Sequence, residues 1–276
     1  MNTQTTGTPI LTLDGVIKDF GSRRALNAVS LAIRPGELVA VIGRSGAGKT
    51  TLLRCLSRFT PVTAGTICLC GDNLATLKGA ALRAHRRRVG MIYQQFNLVR
   101  RLRVVENVLV GRLGHLHGFA RRAALAYRFP PADRDIALRC LDHVGLLDRA
   151  WQRTDTLSGG EQQRVAIAKI LAQDPEIILA DEPIASLDLL NAELVMETLR
   201  QIAQKAGLAV VATLHHVDFA RRYADRVLGF QGGRLVFDGP PAALSEVALA
   251  AVFEDRPAPT ADHPPAPLGE LELVTP

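Results

Sequence analysis

Residues 41–56 read "VIGRSGAGKTTLLRCL": an apolar run enters a glycine-rich turn, a leucine-spaced run leaves it, and one lysine stands at the junction. Gly43, Gly48, Lys49 and Thr50 fill the fixed positions of the phosphate-binding pattern G-x-x-x-x-G-K-[ST]. The flanks agree with the letters. "ELVAVI" before the turn has the character of a buried strand, and Leu52, Leu53, Leu56 and Phe59 after it recur at helical spacing. A chance glycine-rich turn would not bring strand, loop and helix in that order. Glycines let the backbone curl until its N–H groups face inward at a helix N-terminus, where unpaired donors and the positive dipole end favour an anion. Gly43, Arg44, Ser45, Gly46, Ala47, Gly48, Lys49, Thr50 and Thr51 are thus the expected cradle of a nucleotide. Lys49 is expected to reach the β- and γ-phosphates and Thr50 to offer its hydroxyl to Mg²⁺.

With 276 residues and 47% apolar content, the chain has room for one large α/β domain or two small ones around a sizeable core. No stretch approaches the roughly 18 consecutive apolar residues that cross a bilayer. "MNTQTTGTPI" lacks the charged start and apolar centre of a signal peptide, so a cytosolic chain is expected. Cys55, Cys68, Cys70 and Cys140 include no CxxC pair, which favours reduced thiols over a zinc or disulfide framework. The net charge of +6 is concentrated, for residues 78–103 carry many basic side chains and no acidic one. A solvated face is the default reading of such a run; a surface for nucleic acid or for anionic headgroups is the alternative. No aromatics are interleaved within its arginine clusters, 86–88 and 100–103, to stack bases.

Apolar runs recur between helical patterns: "ILTL", "LVAVI", "VGMIY", "EIILA", "LAVVAT", then "RVLGF" and "RLVF" around the turn "QGG". The early and late runs alternate as antiparallel hairpins do, and the middle ones resemble buried parallel strands separated by helices. An α/β core with an antiparallel β portion follows. Residues of about 76–153 read as mostly helical, broken at "GRLGHLHGF" and "FPP", and form an expected insertion into that core. The nucleotide-binding domain is expected over residues 1–253. The Pro-rich, aromatic-poor residues 254–276 are expected to form a disordered tail.

Two further motifs join the phosphate loop. "EIILADEP" ends an apolar strand in Asp181, placing a carboxylate at the carboxyl edge of a parallel sheet, where it can hold Mg²⁺. Glu182 points elsewhere and can accept a hydrogen bond from the water that attacks the γ-phosphate. The other motif, "LSGGEQQRVAIAK", spans residues 157–169. Ser158, Gly159 and Gly160 stand before a helix as a nest of N–H donors, and Ser158 with Glu161 also fits a capping box.

With these residues the chain resembles the ATP-binding-cassette (ABC) family, whose signature segment is LSGGQ-like, over roughly residues 10–240. Glu161 stands where the commonest residue is glutamine. The resemblance implies an ABC ATPase fold with a parallel-sheet core, an antiparallel β subdomain and an inserted helical subdomain. It also implies a head-to-tail pair of domains, each closing its signature segment, with Ser158, over ATP on the other's phosphate loop. By the same resemblance Phe20 would stack on adenine, Gln94 would sense Mg²⁺ and the membrane partner, and Asp188 would bridge the dimer. His215 would contact the γ-phosphate, which makes it and Glu182 the implied catalytic pair. Gln94–Gln95 and His215–His216 are doublets, and family spacing favours the first of each.

The interval between Lys49 and Ser158 leaves no room for the coiled coils of chromosome ATPases, and no excision-repair zinc cluster is present. "YQQFNLVRRLRVVENVLVGRLG", "ADEPIASLD" and "TLHHVD" resemble the phosphonate-import ATPases as a set. That resemblance implies an ATP-hydrolysing subunit, using ATP and Mg²⁺, that lies peripherally on the cytoplasmic side of the inner membrane. Its partners would be a second copy, two transmembrane permease subunits and, indirectly, a periplasmic binding protein, with no nucleic acid. A sister importer for phosphite, phosphate or another solute carries the same motifs, and a soluble ABC ATPase acting on nucleic acid or ribosomes is the reading from a different class.

Overall fold

A computed structural model describes residues 8–254. The tail expected over 254–276 lies, apart from Glu254, outside the described residues. In chain order the elements are β1 (Leu11–Phe20), β2 (Arg23–Ile33), β3 (Leu38–Ile42), α1 (Lys49–Leu56), β4 (Ala64–Leu69), β5 (Asp72–Asn73), α2 (Gly79–Arg88) and β6 (Val89–Ile92). Then come α3 (Val104–Leu109), α4 (Gly118–Ala124), α5 (Pro131–His143), α6 (Gly159–Ala172), β7 (Ile177–Asp181) and α7 (Leu189–Ala206). The described chain closes with β8 (Ala209–Thr213), α8 (Val217–Tyr223), β9 (Arg226–Gln231), β10 (Arg234–Gly239) and α9 (Glu246–Phe253).

The larger sheet has six strands in the order β10-β9-β3-β8-β7-β6, parallel from β9 to β6 and antiparallel at the β9–β10 edge. β3 and β8 are buried at every position, the signature of a parallel strand covered on both faces. Alternation decides which layer each residue meets. Leu38, Ala40 and Ile42 pack with apolar residues of α3, α5, α6 and α7, whereas Val39 and Val41 pack with α1 and the smaller sheet. That smaller sheet is antiparallel, in the order β2-β1-β4-β5, so α1 lies between two sheets.

Patterning names β1 but not β2 or β4. In β2 the buried residues Leu26, Val29, Leu31 and Ile33 break the two-residue period between 26 and 29, where Ala28 has φ +51° and the β1–β2 register shifts. A bulge hides the alternation that sequence reading relies on. The interval 76–153 holds α2, α3, α4 and α5 as helices, with Pro131 opening α5, and it also contains β6, the edge strand of the larger sheet. Asn107, 1% exposed, pins the segment after β6: its side chain accepts from Val99 N–H at 2.8 Å and donates to Thr154 Oγ1 at 2.8 Å. Among the described residues no helix is long and apolar enough to cross a membrane.

Candidate nucleotide site

Three neighbouring strands of the larger sheet end at the same edge: β3 leads into the glycine-rich loop, β7 ends in Asp181 and β8 in Thr213. Gly48 turns the loop into α1 at φ +105°, and a Cβ there would lie 2.5 Å from the Ala25 carbonyl oxygen, so the turn admits no side chain. Lys49 begins the helix with its ammonium drawn back into the loop, donating to the Gly43 carbonyl at 2.6 Å and the Arg44 carbonyl at 3.0 Å. It is 5% exposed. Burial lowers its pKa from the ordinary lysine value, against the opposing pull of the Glu182 and Asp181 carboxylates.

In front of the loop lies a cavity of about 480 Å³ lined by Phe20, Ser45, Gly46, Gly48, Lys49, Thr50, Thr51, Glu182 and His215, together with Arg23 and Ala25. Phe20 is 51% exposed and stands at the rim, not in the core, with Lys18 Nζ 4.8 Å from its ring centre. Arg23 and Ala25 were not anticipated; they come with β2, the strand whose pattern is masked by its bulge. Ala47 is buried behind the loop.

Asp181 Oδ1 accepts from the Thr50 hydroxyl at 3.2 Å and from the Thr213 hydroxyl at 3.0 Å. Glu182, with φ +52°, holds a left-handed conformation that costs an L-residue energy and clusters at functional sites. Its N–H donates to Thr213 Oγ1 at 2.8 Å, and its Oε1 lies 2.5 Å from His215 Nε2. His216 instead precedes α8, its ring edge-on to Phe219. Within the doublet, therefore, only His215 faces the cavity.

Other expected site residues are not brought to this cavity by one chain. Gln94 and Gln95 follow β6 and are both exposed. Ser158 caps α6: Glu161 N–H donates to its hydroxyl at 3.3 Å, and Ser158 N–H donates to the Glu161 carboxylate at 2.8 Å. Accepting that N–H holds Glu161 below the ordinary glutamate pKa. Asp188 caps α7, accepting from Asn191 N–H at 3.0 Å and Asn191 Nδ2 at 2.6 Å, and this holds its carboxyl below the ordinary aspartate value. The two caps touch: a Cβ on Gly160 would meet Asn191 Oδ1 at 2.0 Å, whereas Gly159 has room. Gln163, fully buried in α6, donates to the Pro183 carbonyl at 2.8 Å and so joins the Ser158 segment to the residue after Glu182.

A second cavity of about 250 Å³ opens between α6 and the segment following β6, lined among others by Phe59, Arg86, Tyr93, Phe96 and Lys169. Lys169 donates to the Asn97 carbonyl at 2.9 Å, and burial lowers its pKa.

A parallel sheet with a phosphate-binding loop at its carboxyl edge defines a P-loop nucleotide-binding protein. The chain belongs to the ABC transporter family, whose family model matches residues 26–185. It is 48% identical to the phosphonates import ATP-binding protein PhnC 2 of Roseobacter denitrificans over 86% of this chain and 86% of that one. The PhnC phosphonates import ATP-binding protein of Nocardia farcinica is 49% identical over 89% of this chain and 90% of its own. Among solved structures, the dimeric post-hydrolysis state of the ATP-binding cassette MJ0796 bound to ADP and Pi superposes with a TM-score of 0.71. It is 32% identical, and the match covers 84% of this chain and 98% of that one.

Proposed function

We propose that the chain is the ATP-hydrolysing subunit of a bacterial ABC importer for phosphonates, peripheral to the inner membrane on its cytoplasmic side. The observation that carries this reading is the meeting of the phosphate loop, Glu182 and His215 around one cavity, with Asp181 bonded to Thr50 beside it, in a chain close to half identical to phosphonates import ATP-binding proteins. The loop N–H groups and Lys49 would hold the phosphates, of whose ammonium only part of the three-donor capacity is taken by Gly43 and Arg44. Phe20 at the rim would meet the adenine face.

The paired hard oxygens of Thr50 and Asp181 fit Mg²⁺, which binds oxygen donors. Bound there with the nucleotide, the ion would offset negative charge on the β- and γ-phosphates. Gln94, beyond the neighbouring strand, is the expected further contact. Glu182 would accept a hydrogen bond from the water whose oxygen attacks the γ-phosphorus; the bond to the bridging oxygen then breaks, leaving ADP and inorganic phosphate. His215, already at the Glu182 carboxylate, would contact the γ-phosphate.

Ser158, Gly159, Gly160, Glu161 and Asp188 would act on a second copy, an arrangement supported by their absence from the cavity lining and by the dimeric form of the related cassette. The groove beside Phe96 and Lys169 would receive a cytoplasmic helix of the permease. Reconstitution with two permease subunits in proteoliposomes, with the binding protein supplied, tests the assignment. ATP hydrolysis should rise with an alkylphosphonate and stay at its basal rate with an amino acid or a metal chelate. An unchanged rate with phosphonates would overturn the substrate assignment.

A further inference from the structure

Thr213 ends β8 fully buried, register-paired with Asp181 of β7. Its hydroxyl makes two bonds, accepting Glu182 N–H at 2.8 Å and donating to Asp181 Oδ1 at 3.0 Å. The direction of both is fixed by chemistry. An amide N–H can only donate, so the oxygen's lone pair serves Glu182 and its single hydrogen is left for the carboxylate. The same Oδ1 receives the Thr50 hydroxyl at 3.2 Å.

Backbone geometry explains why a side chain is needed there. Glu182 leaves β7 at φ +52°, and β8 turns its next N–H, that of Leu214, to the Val41 carbonyl of β3 at 3.0 Å. At that bend the Glu182 amide donates to a side-chain acceptor, the Thr213 hydroxyl. One oxygen atom therefore sets both the orientation of the Asp181 carboxylate and the strained backbone from which the Glu182 side chain departs. That side chain then meets His215 at 2.5 Å.

We infer that Thr213 is a positioning residue for ATP hydrolysis: its hydroxyl holds the Asp181 carboxylate, the Glu182 backbone and Thr50 in one fixed relation. This rests on the roles given above to Asp181 and Glu182. A threonine closing an apolar strand could also serve by packing alone, and valine has nearly the same shape. The two roles differ by the hydroxyl.

The test compares Thr213→Val and Thr213→Ser with the wild-type full chain, using Thr213→Ala as the hydroxyl-free variant should the valine chain fail to fold. The first readout needs no nucleotide. Amide hydrogen exchange at Glu182 should quicken about tenfold or more in Thr213→Val and stay near wild type in Thr213→Ser, because a lost acceptor frees the amide locally. The second is steady-state hydrolysis with Mg²⁺. There kcat should fall roughly 10- to 100-fold in Thr213→Val while KM for ATP changes less than about 3-fold, and the serine variant should keep most of kcat. Unchanged exchange and kcat in the valine chain, or an equal loss in the serine chain, would overturn the inference. A wild-type chain that binds ATP without hydrolysing it would instead overturn the proposed function, and the exchange experiment would still report on the Thr213 bond.

Discussion

Lys49 is held from behind by two loop carbonyls, so its charge is already aimed before any phosphate arrives. Lys49→Ala should therefore weaken binding itself, raising Kd for a fluorescent ATP analogue about tenfold or more, as expected when a buried charge-assisted contact is removed. Glu182→Gln keeps the shape and the loop and loses the negative charge proposed to face the water. Titration with the same analogue should give a near wild-type Kd, while hydrolysis slows by roughly 10²- to 10⁴-fold. Glu161 gives a pH signature. Its carboxyl is held below the ordinary value of 4.5 by Ser158 N–H, so its contribution to stability is full above that value and is lost as pH falls through the lower folded value. The melting-temperature gap between wild type and Glu161→Gln should accordingly narrow as the pH falls through and below 4.5. Lys49, Asp181 and Glu182 were legible because their neighbours in sequence are also their neighbours in space. Thr213 was not, because its meaning comes from the register of β8 against β7, which brings together residues that share no local pattern.

At the level of elements, α6 and α7 begin with caps that lean on each other through Gly160 and Asn191. Ser158→Ala removes one cap acceptor and should lower stability by about 1 kcal/mol, measurable in urea unfolding. Gly160→Ala should cost more, about 1–3 kcal/mol, because the added Cβ drives into Asn191 and loosens the Asp188 cap as well. A Gly160→Ala chain as stable as wild type would show that Asn191 yields freely. The parallel strands were readable as continuous apolar runs between helical patterns. The four-stranded sheet was only half readable, since β2 hides its period behind a bulge and β4 has just Ile67 and Leu69 buried in its six residues. The placement of β6 needed the partner strand β7, which no local window contains.

For the whole molecule, the proposed division of the nucleotide site between copies leads to a mixing experiment. Lys49→Ala chains lack a working phosphate loop, and Ser158→Arg chains carry a bulky cation where the cap should meet the other copy. Together they should regain one composite site per heterodimer and so part of the hydrolysis that neither shows alone, whereas continued inactivity of the mixture would argue against sharing. The groove beside Phe96 belongs to the same scale. Phe96→Asp should leave analogue binding intact and abolish stimulation by the permease; loss of nucleotide binding with it would mark Phe96 as a packing residue.

The cap at Ser158 lies outside the cavity around Lys49, and this has a kinetic consequence. If turnover needs two chains, the specific activity of the isolated subunit is not a constant. It should climb with protein concentration and then level off, and dilution should idle the protein without unfolding it. Two copies fastened beneath one permease would escape that dependence, since tethering replaces bulk concentration with a local one on the order of millimolar for short connections. The same arrangement would confine fuel consumption to assembled transporters and leave surplus subunits in dilute solution nearly silent.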